Sequence, residues 1–323
     1  MTLLLNESDV KAVLTMPDTV ACVEAATKAH GLAQARNVPR QRIKLPRGTL
    51  HLLAGADLAA PDGGYVGLKT YTSFREGNRF LTLLYSAENG RLLATIESDF
   101  LGMMRTGAAS GVATKYLARA DADVLANFGT GWQARGQVLA IAAVRPLKQV
   151  RVYSRDAERR QRFVAELSEQ IDAELVACES PAEALDGALI VATATTARDP
   201  LFPSDAVADG THINAAGSNA LIRREIDERL VRRAGLIVVD SRAQAREESG
   251  DLLIPAERGW IDWDLLPELS AVVAGQARGR QSDSEITIFE SQGLGLQDVT
   301  VAGLVYQKAK AAGLGQEIAL FGS

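Results

Sequence analysis

The stretch VLANFGTGWQARGQVLAIAAV, residues 124–144, decides the fold. A continuous apolar run ends at Phe128, Gly129-Thr130-Gly131 follows, and a helical pattern opens at Trp132. The spacing is GxGxxA. Gly129 permits a tight turn, Gly131 lets the backbone approach a pyrophosphate, and Ala134 keeps the helix close to the strand. The helix amino terminus, with its unsatisfied N–H groups, then faces the phosphates. Such a motif alone is a weak signal. Here a strand precedes it, a helix follows and a second apolar strand, QVRVYS at 149–154, comes next, which is the context a dinucleotide site requires. Thr130, Trp132 and Gln133 complete the cofactor loop.

Downstream of the loop, helical stretches at about 132–144 and 156–170 alternate with the apolar runs AELVA, ALIVAT, THINAA and GLIVVD. Unbroken apolar strands separated by helices predict a parallel sheet covered on both faces. A charged helix is expected to start directly after Gly217-Ser218-Asn219. EITIFES follows near residue 285, and VTVAGLVYQKAKAAGL forms a long closing helix. Upstream, residues 99–117 read as a helix. Residues 38–98 hold short β-rich runs, with Asn89-Gly90 a hairpin signal between LTLLYS and RLLATI. Residues 8–36 read as helical, broken near Pro17. The predicted fold class is α/β, a Rossmann-type doubly wound dinucleotide-binding domain over 116–299 plus a split α+β domain over 1–115 with 300–323. The helix at 99–117 joins them, and the last helix returns to the first domain.

The 323 residues are 47% hydrophobic and 23% charged, with a net charge of −5. That balance argues against a nucleic-acid surface, which needs a concentrated basic face. Cys22 and Cys178 stand alone, which fits a reduced, cytoplasmic protein. Three scattered histidines do not make a metal site, so no metal is expected. No apolar run is long enough to span a membrane.

The end of the second strand selects the nucleotide. NAD-binding folds usually place a carboxylate there for the ribose 2′-hydroxyl. This chain has Ser154-Arg155, with Arg159 one turn into the helix. Serine and arginine attract a 2′-phosphate that a carboxylate would repel. NADP(H) is therefore favoured and NAD(H) remains possible, because Asp156 would take the carboxylate role if the strand ended later.

Polar residues also interrupt the first domain. Lys69 sits within the β-prone segment GLKTYTS, and Arg105 lies on a helix of Met, Ala and Gly residues small enough for a ligand to come close. A solvated edge would explain the lysine, and a structural ion pair the arginine. Arg40 and Arg42, two residues apart, would share a strand face. Cations on inward positions of one domain, beside a nucleotide domain, point to a small carboxylate substrate, since the guanidinium fork suits carboxylates and lysine can donate a proton.

Taken together, LKTYTS, MMRTGAASGVATKYLAR, FGTGWQA, THINAAGSNA and EITIFESQGLGLQDVTVA resemble the ornithine cyclodeaminase/μ-crystallin family. The resemblance runs through nearly the whole chain. It implies a homodimer paired through the β-rich domains. It also implies Lys69 near substrate and nicotinamide, Arg105 as the carboxylate-binding arginine, and Arg40 or Arg42 as a second one. Thr106, Ser218, Asn219, Ser291 and Gly293 join the loop residues at the coenzyme. In the family's cyclodeaminases an aspartate stands where this chain has Asn219, and it serves as the acid/base group. An amide offers only hydrogen bonds. Losing a general base typically costs about 10²–10⁴-fold. The resemblance therefore implies a reductase of small α-imino acids, such as cyclic ketimines (Δ1-pyrroline-2-carboxylate), or in reverse an amino-acid dehydrogenase, with Asn219 positioning substrate or ribose. The alternatives are a true ornithine cyclodeaminase and a non-catalytic, μ-crystallin-like NADP-binding protein.

Overall fold

The computed structural model describes residues 1–320; residues 321–323, assigned above to the first domain, lie outside the described residues. The chain divides into two compact units, one of Met1–Arg105 with the segment from Gly293 onward, the other of Thr106–Gln292. The division falls inside the helix Asp99–Leu117.

The first unit is built on a seven-stranded sheet. Its strands are β1 (Thr2–Leu5), β2 (Ala35–Leu45), β3 (Gly48–Asp57), β4 (Tyr65–Phe74), β5 (Gly77–Ser86), β6 (Leu92–Glu97) and a C-terminal strand, Gln316–Ile318. The order is C-terminal strand, β1, β6, β5, β4, β3, β2, antiparallel except for the parallel β1–β6 pair. The Asn-Gly hairpin forms between β5 and β6, and Gly90 supplies the positive φ, 72°. The helices Glu7–Val13 and Met16–Gly31 bracket the break, the second opening with Thr15 as cap and Pro17 in its first turn. The closing helix runs over Gly295–Ala312 and lies on β3 and β4. It approaches so closely that a Cβ on Gly55 would stand 2.5 Å from Leu296 Cα. β1 is absent from the sequence reading because its partner, β6, lies about ninety residues away, as Leu3 pairs with Ala94.

The second unit holds β7 (Val124–Phe128), β8 (Gln149–Tyr153), β9 (Glu174–Ala177), β10 (Ile190–Thr193), β11 (His212–Ala215), β12 (Leu236–Val239) and β13 (Thr287–Glu290). All seven are parallel, in the order β9-β8-β7-β10-β11-β13-β12. This is a Rossmann sheet. The order reverses between β7 and β10, and ligands bind in the crevice at such a switch point. Core residues pack on both faces, Val138, Ile141, Phe163 and Leu167 on one and Phe202, Ile226, Leu230 and Leu252 on the other.

One element departs from expectation. The segment after Gly217 is not the start of a charged helix; it stays a loop until the short helix Glu228–Arg233. Buried Glu225 holds it open by accepting hydrogen bonds from Gly217 N, Thr195 N and Thr193 Oγ1. Asp251 accepts from the Glu225 and Ile226 amides. Backbone donors taken by side chains in this way are lost to helix formation. Among the described residues, no helix is long and apolar enough to cross a membrane.

Candidate active site

In the second unit the ends of β7, β8, β10 and β11 surround a cleft of about 970 Å³. Gly129 turns the chain out of β7 with a φ of 113°, and a Cβ there would lie 2.7 Å from Ala194 O. Gly131 is the N-cap of the helix Trp132–Val144, with no side-chain cap. A Cβ on Gly131 would meet nothing within 4 Å, so the loop backbone faces open space. An uncapped helix start, a glycine loop and room beside it fit a pyrophosphate. Gly129, Thr130, Gly131, Trp132 and Gln133 all line this cleft, as do Ser154, Arg155, Arg159 and Asn219.

β8 ends at Tyr153, so Ser154 is the first residue past the strand. Its hydroxyl lies 3.3 Å from Thr130 Oγ1 and bonds the Asp156 carbonyl. Asp156 lines the cleft as well, with its carboxylate engaged by the next helix. It caps the helix Ala157–Ser168, accepting from Arg159 N at 3.0 Å, and its other oxygen stands 3.3 Å from Arg159 Nε. Buried Arg160 donates to the Ser154 carbonyl and pairs with Glu179, which fixes the strand end from behind.

On the opposite rim, Asn219 Oδ1 accepts from Arg223 at 2.9 Å. Ser218 is turned inward instead, donating to Arg223 O and accepting from Gly250 N. Ser291 is buried in the same unit, and Thr106 is half-buried on its helix; neither lines the cleft. The carboxylates behind this rim are held protonation-prone. Burial above all pushes Glu225 up, and burial, then the neighbouring Glu225 carboxylate, raise Asp251. Sequence reasoning passed over Glu225 because a glutamate in IRREIDER looks like a solvated helix face.

The first unit gathers the other set. Lys69 on β4 and Arg105 are both buried and share one partner, Asp298, in the first turn of the closing helix. Lys69 Nζ is 3.1 Å and Arg105 Nε 2.9 Å from Asp298 Oδ1. Arg105 also donates to Gln297 Oε1, and Gly293 is tucked against its guanidinium, where a Cβ would be 2.3 Å from Nη1. Asp298 Oδ2 is buried and takes no hydrogen bond among the described residues. Burial lowers the Lys69 ammonium to about 8, Asp298 works against that fall, and the Arg105 and Arg40 charges add to it. The ammonium also sits 5.2 Å from the Phe80 ring centre and 5.8 Å from that of Tyr71.

Arg40 is buried on β2 and Arg42 half-buried. The β2–β3 ladder shifts register between Val38 and Gln41, so Arg40 lies at an irregularity while Arg42 pairs with His51. Asp298 was invisible in the sequence. A carboxylate in the helix LQDVTVAGLV signalled only a favourable first-turn charge, and its partners are 229 and 193 residues away.

A family profile described as ornithine cyclodeaminase/mu-crystallin matches residues 1–313. The chain belongs to that family. A Delta(1)-pyrroline-2-carboxylate reductase of Bacillus cereus is 37% identical over 261 residues, covering 78% of this chain and 80% of its own length. The solved Delta(1)-pyrroline-2-carboxylate reductase of Thermococcus litoralis, in complex with NADH and L-proline, superposes with a TM-score of 0.90 at 34% identity, covering 98% of this chain and 100% of that one. An archaeal alanine dehydrogenase dimer with bound NAD gives a TM-score of 0.89 at 31% identity over 99% of both chains.

Proposed function

We propose that the chain is an NAD(P)H-dependent reductase of small α-imino acids, reducing C=N to CH–NH, and in reverse an amino-acid dehydrogenase. Its oxidoreductase class follows from family membership and from relatives that are reductases and dehydrogenases carrying nicotinamide coenzymes. The observation that supports the substrate reading best is the buried Lys69–Asp298–Arg105 cluster. Two cations share one carboxylate in a site sealed from water, and buried charges are kept only where they are paired or used. The Thr106–Gln292 unit is the coenzyme-binding domain in this reading, and the rest of the chain the substrate and dimerisation domain.

A bound reduced dinucleotide supplies the hydride. The Gly129–Gln133 loop would hold its pyrophosphate, and Asn219, on the opposite rim of the same cleft, would face the nicotinamide end, with Ser218 fixing that rim from behind. Arg105 grips the substrate carboxylate through the guanidinium face that Asp298 leaves open, with Arg40 or Arg42 as the second cation. Lys69, still largely protonated near neutral pH, holds a proton at Nζ for the imine nitrogen. Asp298 Oδ2 accepts the N–H of a protonated imine. Such a reduction needs no base at residue 219, which separates this reading from ornithine cyclisation. Stoichiometric loss of NAD(P)H on adding Δ1-pyrroline-2-carboxylate supports it. Ammonia release from ornithine with no net change in coenzyme defeats it.

The preferred coenzyme in this reading is NADP(H). The solved relatives carry NADH and NAD, yet this chain offers Ser154, Arg155 and Arg159 at the cleft, and the carboxylate that follows Arg155, Asp156, is bound as a helix cap. Ser154→Asp places a negative charge where the 2′-phosphate is expected. It should lower the NADPH-to-NADH ratio of kcat/KM by about ten- to a hundredfold, the worth of a charge-assisted hydrogen bond. An unchanged ratio removes Ser154 from the site.

A homodimer is the further element. β2 is a free edge of its sheet with Val38, Ile43 and Leu45 exposed, and Val66 on β4 is exposed too. Apolar side chains along an open edge invite a partner. Light scattering should give twice the chain mass of 34.5 kDa; a single-chain mass rejects the dimer.

A further inference from the structure

The sheet face that carries Lys69 holds a residue that the mechanism leaves unused. His51 on β3 pairs across the ladders with Tyr71 on one side and Arg42 on the other, and Tyr71 in turn pairs with Phe80. Alternation along β4 puts Tyr71 on the face of Lys69. The imidazole stacks flat on Tyr71, with ring centres 4.2 Å apart and planes within 2°. Tyr71 packs on Phe80 at 4.9 Å. The stack fixes the ring plane, an arrangement suited to directional hydrogen bonding.

Burial, then the charges of Arg42 and Arg40, hold the imidazole down to about 4, so it is neutral under working conditions. A neutral ring carries one N–H and one lone pair. Among the described residues, Nδ1 is the nitrogen sealed from water without a partner. A buried N–H without an acceptor is the rarer and costlier orphan. The lone pair therefore sits on Nδ1, and Nε2 carries the hydrogen as a donor. Arg42, its neighbour across the ladder, is a second donor beside it.

Resting on the imino-acid reductase reading, we propose that His51 is a specificity-determining residue. With Arg42 it binds a second carboxylate at the far end of the substrate's side chain, so that the preferred substrate is an α-imino dicarboxylic acid. The α-carboxylate stays with Arg105, with Arg40 as its second cation, and the imine nitrogen with Lys69. Three positions of one sheet-and-helix scaffold then read three ends of one small molecule.

The test compares oxaloacetate plus ammonium, pyruvate plus ammonium, and Δ1-pyrroline-2-carboxylate as substrates, with controls lacking ammonium. Three proteins are assayed: wild type, His51→Phe, which keeps the aromatic stack, and His51→Gln, which restores an N–H near Nε2. Wild type should favour the dicarboxylic imine in kcat/KM. His51→Phe should lower that preference by about ten- to a hundredfold, the loss of one hydrogen bond to a charged group. The loss should fall on KM, with the other two substrates unaffected, and His51→Gln should recover most of it. A wild type that favours either monocarboxylic substrate overturns the inference while leaving the reductase reading intact. So does a His51→Phe variant that alters all substrates alike, or none. A folded, coenzyme-binding wild type that reduces none of the three overturns both.

Discussion

Lys69→Met lowers kcat for imine reduction by about 10²–10⁴-fold, the usual contribution of a positioned proton donor, and leaves coenzyme affinity unchanged. The expectation follows from where the groups sit. Lys69 belongs to the sheet of the first unit, whereas the cleft proposed for the dinucleotide is lined wholly by residues of the second. Methionine matches the length of the lysine stem, so the contacts with Tyr71 and Phe80 keep a side chain of similar shape. Arg105 remains to neutralise Asp298, at 2.9 Å, so no buried charge is left alone. Fluorescence titration with NADPH checks folding and binding, and the single-turnover rate then isolates the proton donor. A rate within about tenfold of wild type would show that Lys69 is not that donor.

Asp298→Asn acts on stability and on pH dependence together. The wild-type cluster holds two cations around one carboxylate, all buried. Removing the negative member leaves like charges facing each other out of water, a change that costs about 3–5 kcal/mol. The melting temperature should fall clearly. The sign of the pH effect is also fixed. A lysine is charged below its pKa, so the wild-type reductive kcat/KM should be flat below about 8 and decline above it, as the Lys69 proton is lost. Asp298 is what raises that value against burial. In Asp298→Asn the decline must therefore begin at lower pH. A variant whose pH profile overlays wild type, or shifts upward, shows that Lys69 does not govern the profile.

The parts of this protein that could be read from sequence are those whose cause is local. Gly129, Gly131 and Ala134 do their work within six residues, between a strand and a helix they adjoin, and the structure places them as the motif demands. The hairpin at Asn89-Gly90 is equally local. What was missed depends on distant chain. The partners of Asp298 lie about two hundred residues upstream, so nothing in QDVTVA marks its carboxylate as the hub of a buried cluster. β1 is a strand only because β6 and the C-terminal strand flank it. The loop after Gly217 looked helical because its charges suit a helix surface, yet Glu225 turns inward to bond Gly217 and Thr195. His51 shows the same limit, since its ring is interpretable only beside Tyr71 and Arg42, which the sheet register supplies.

The most direct test follows a label from coenzyme to product. The protein is incubated with NADPH carrying deuterium at the transferable position of the nicotinamide, together with an α-imino acid from the panel above, and the amino acid formed is analysed by mass spectrometry and NMR. One deuterium on the α-carbon per coenzyme consumed is the predicted result. Bound coenzyme with no deuterium in any product, across the panel and with both NADPH and NADH, would contradict it.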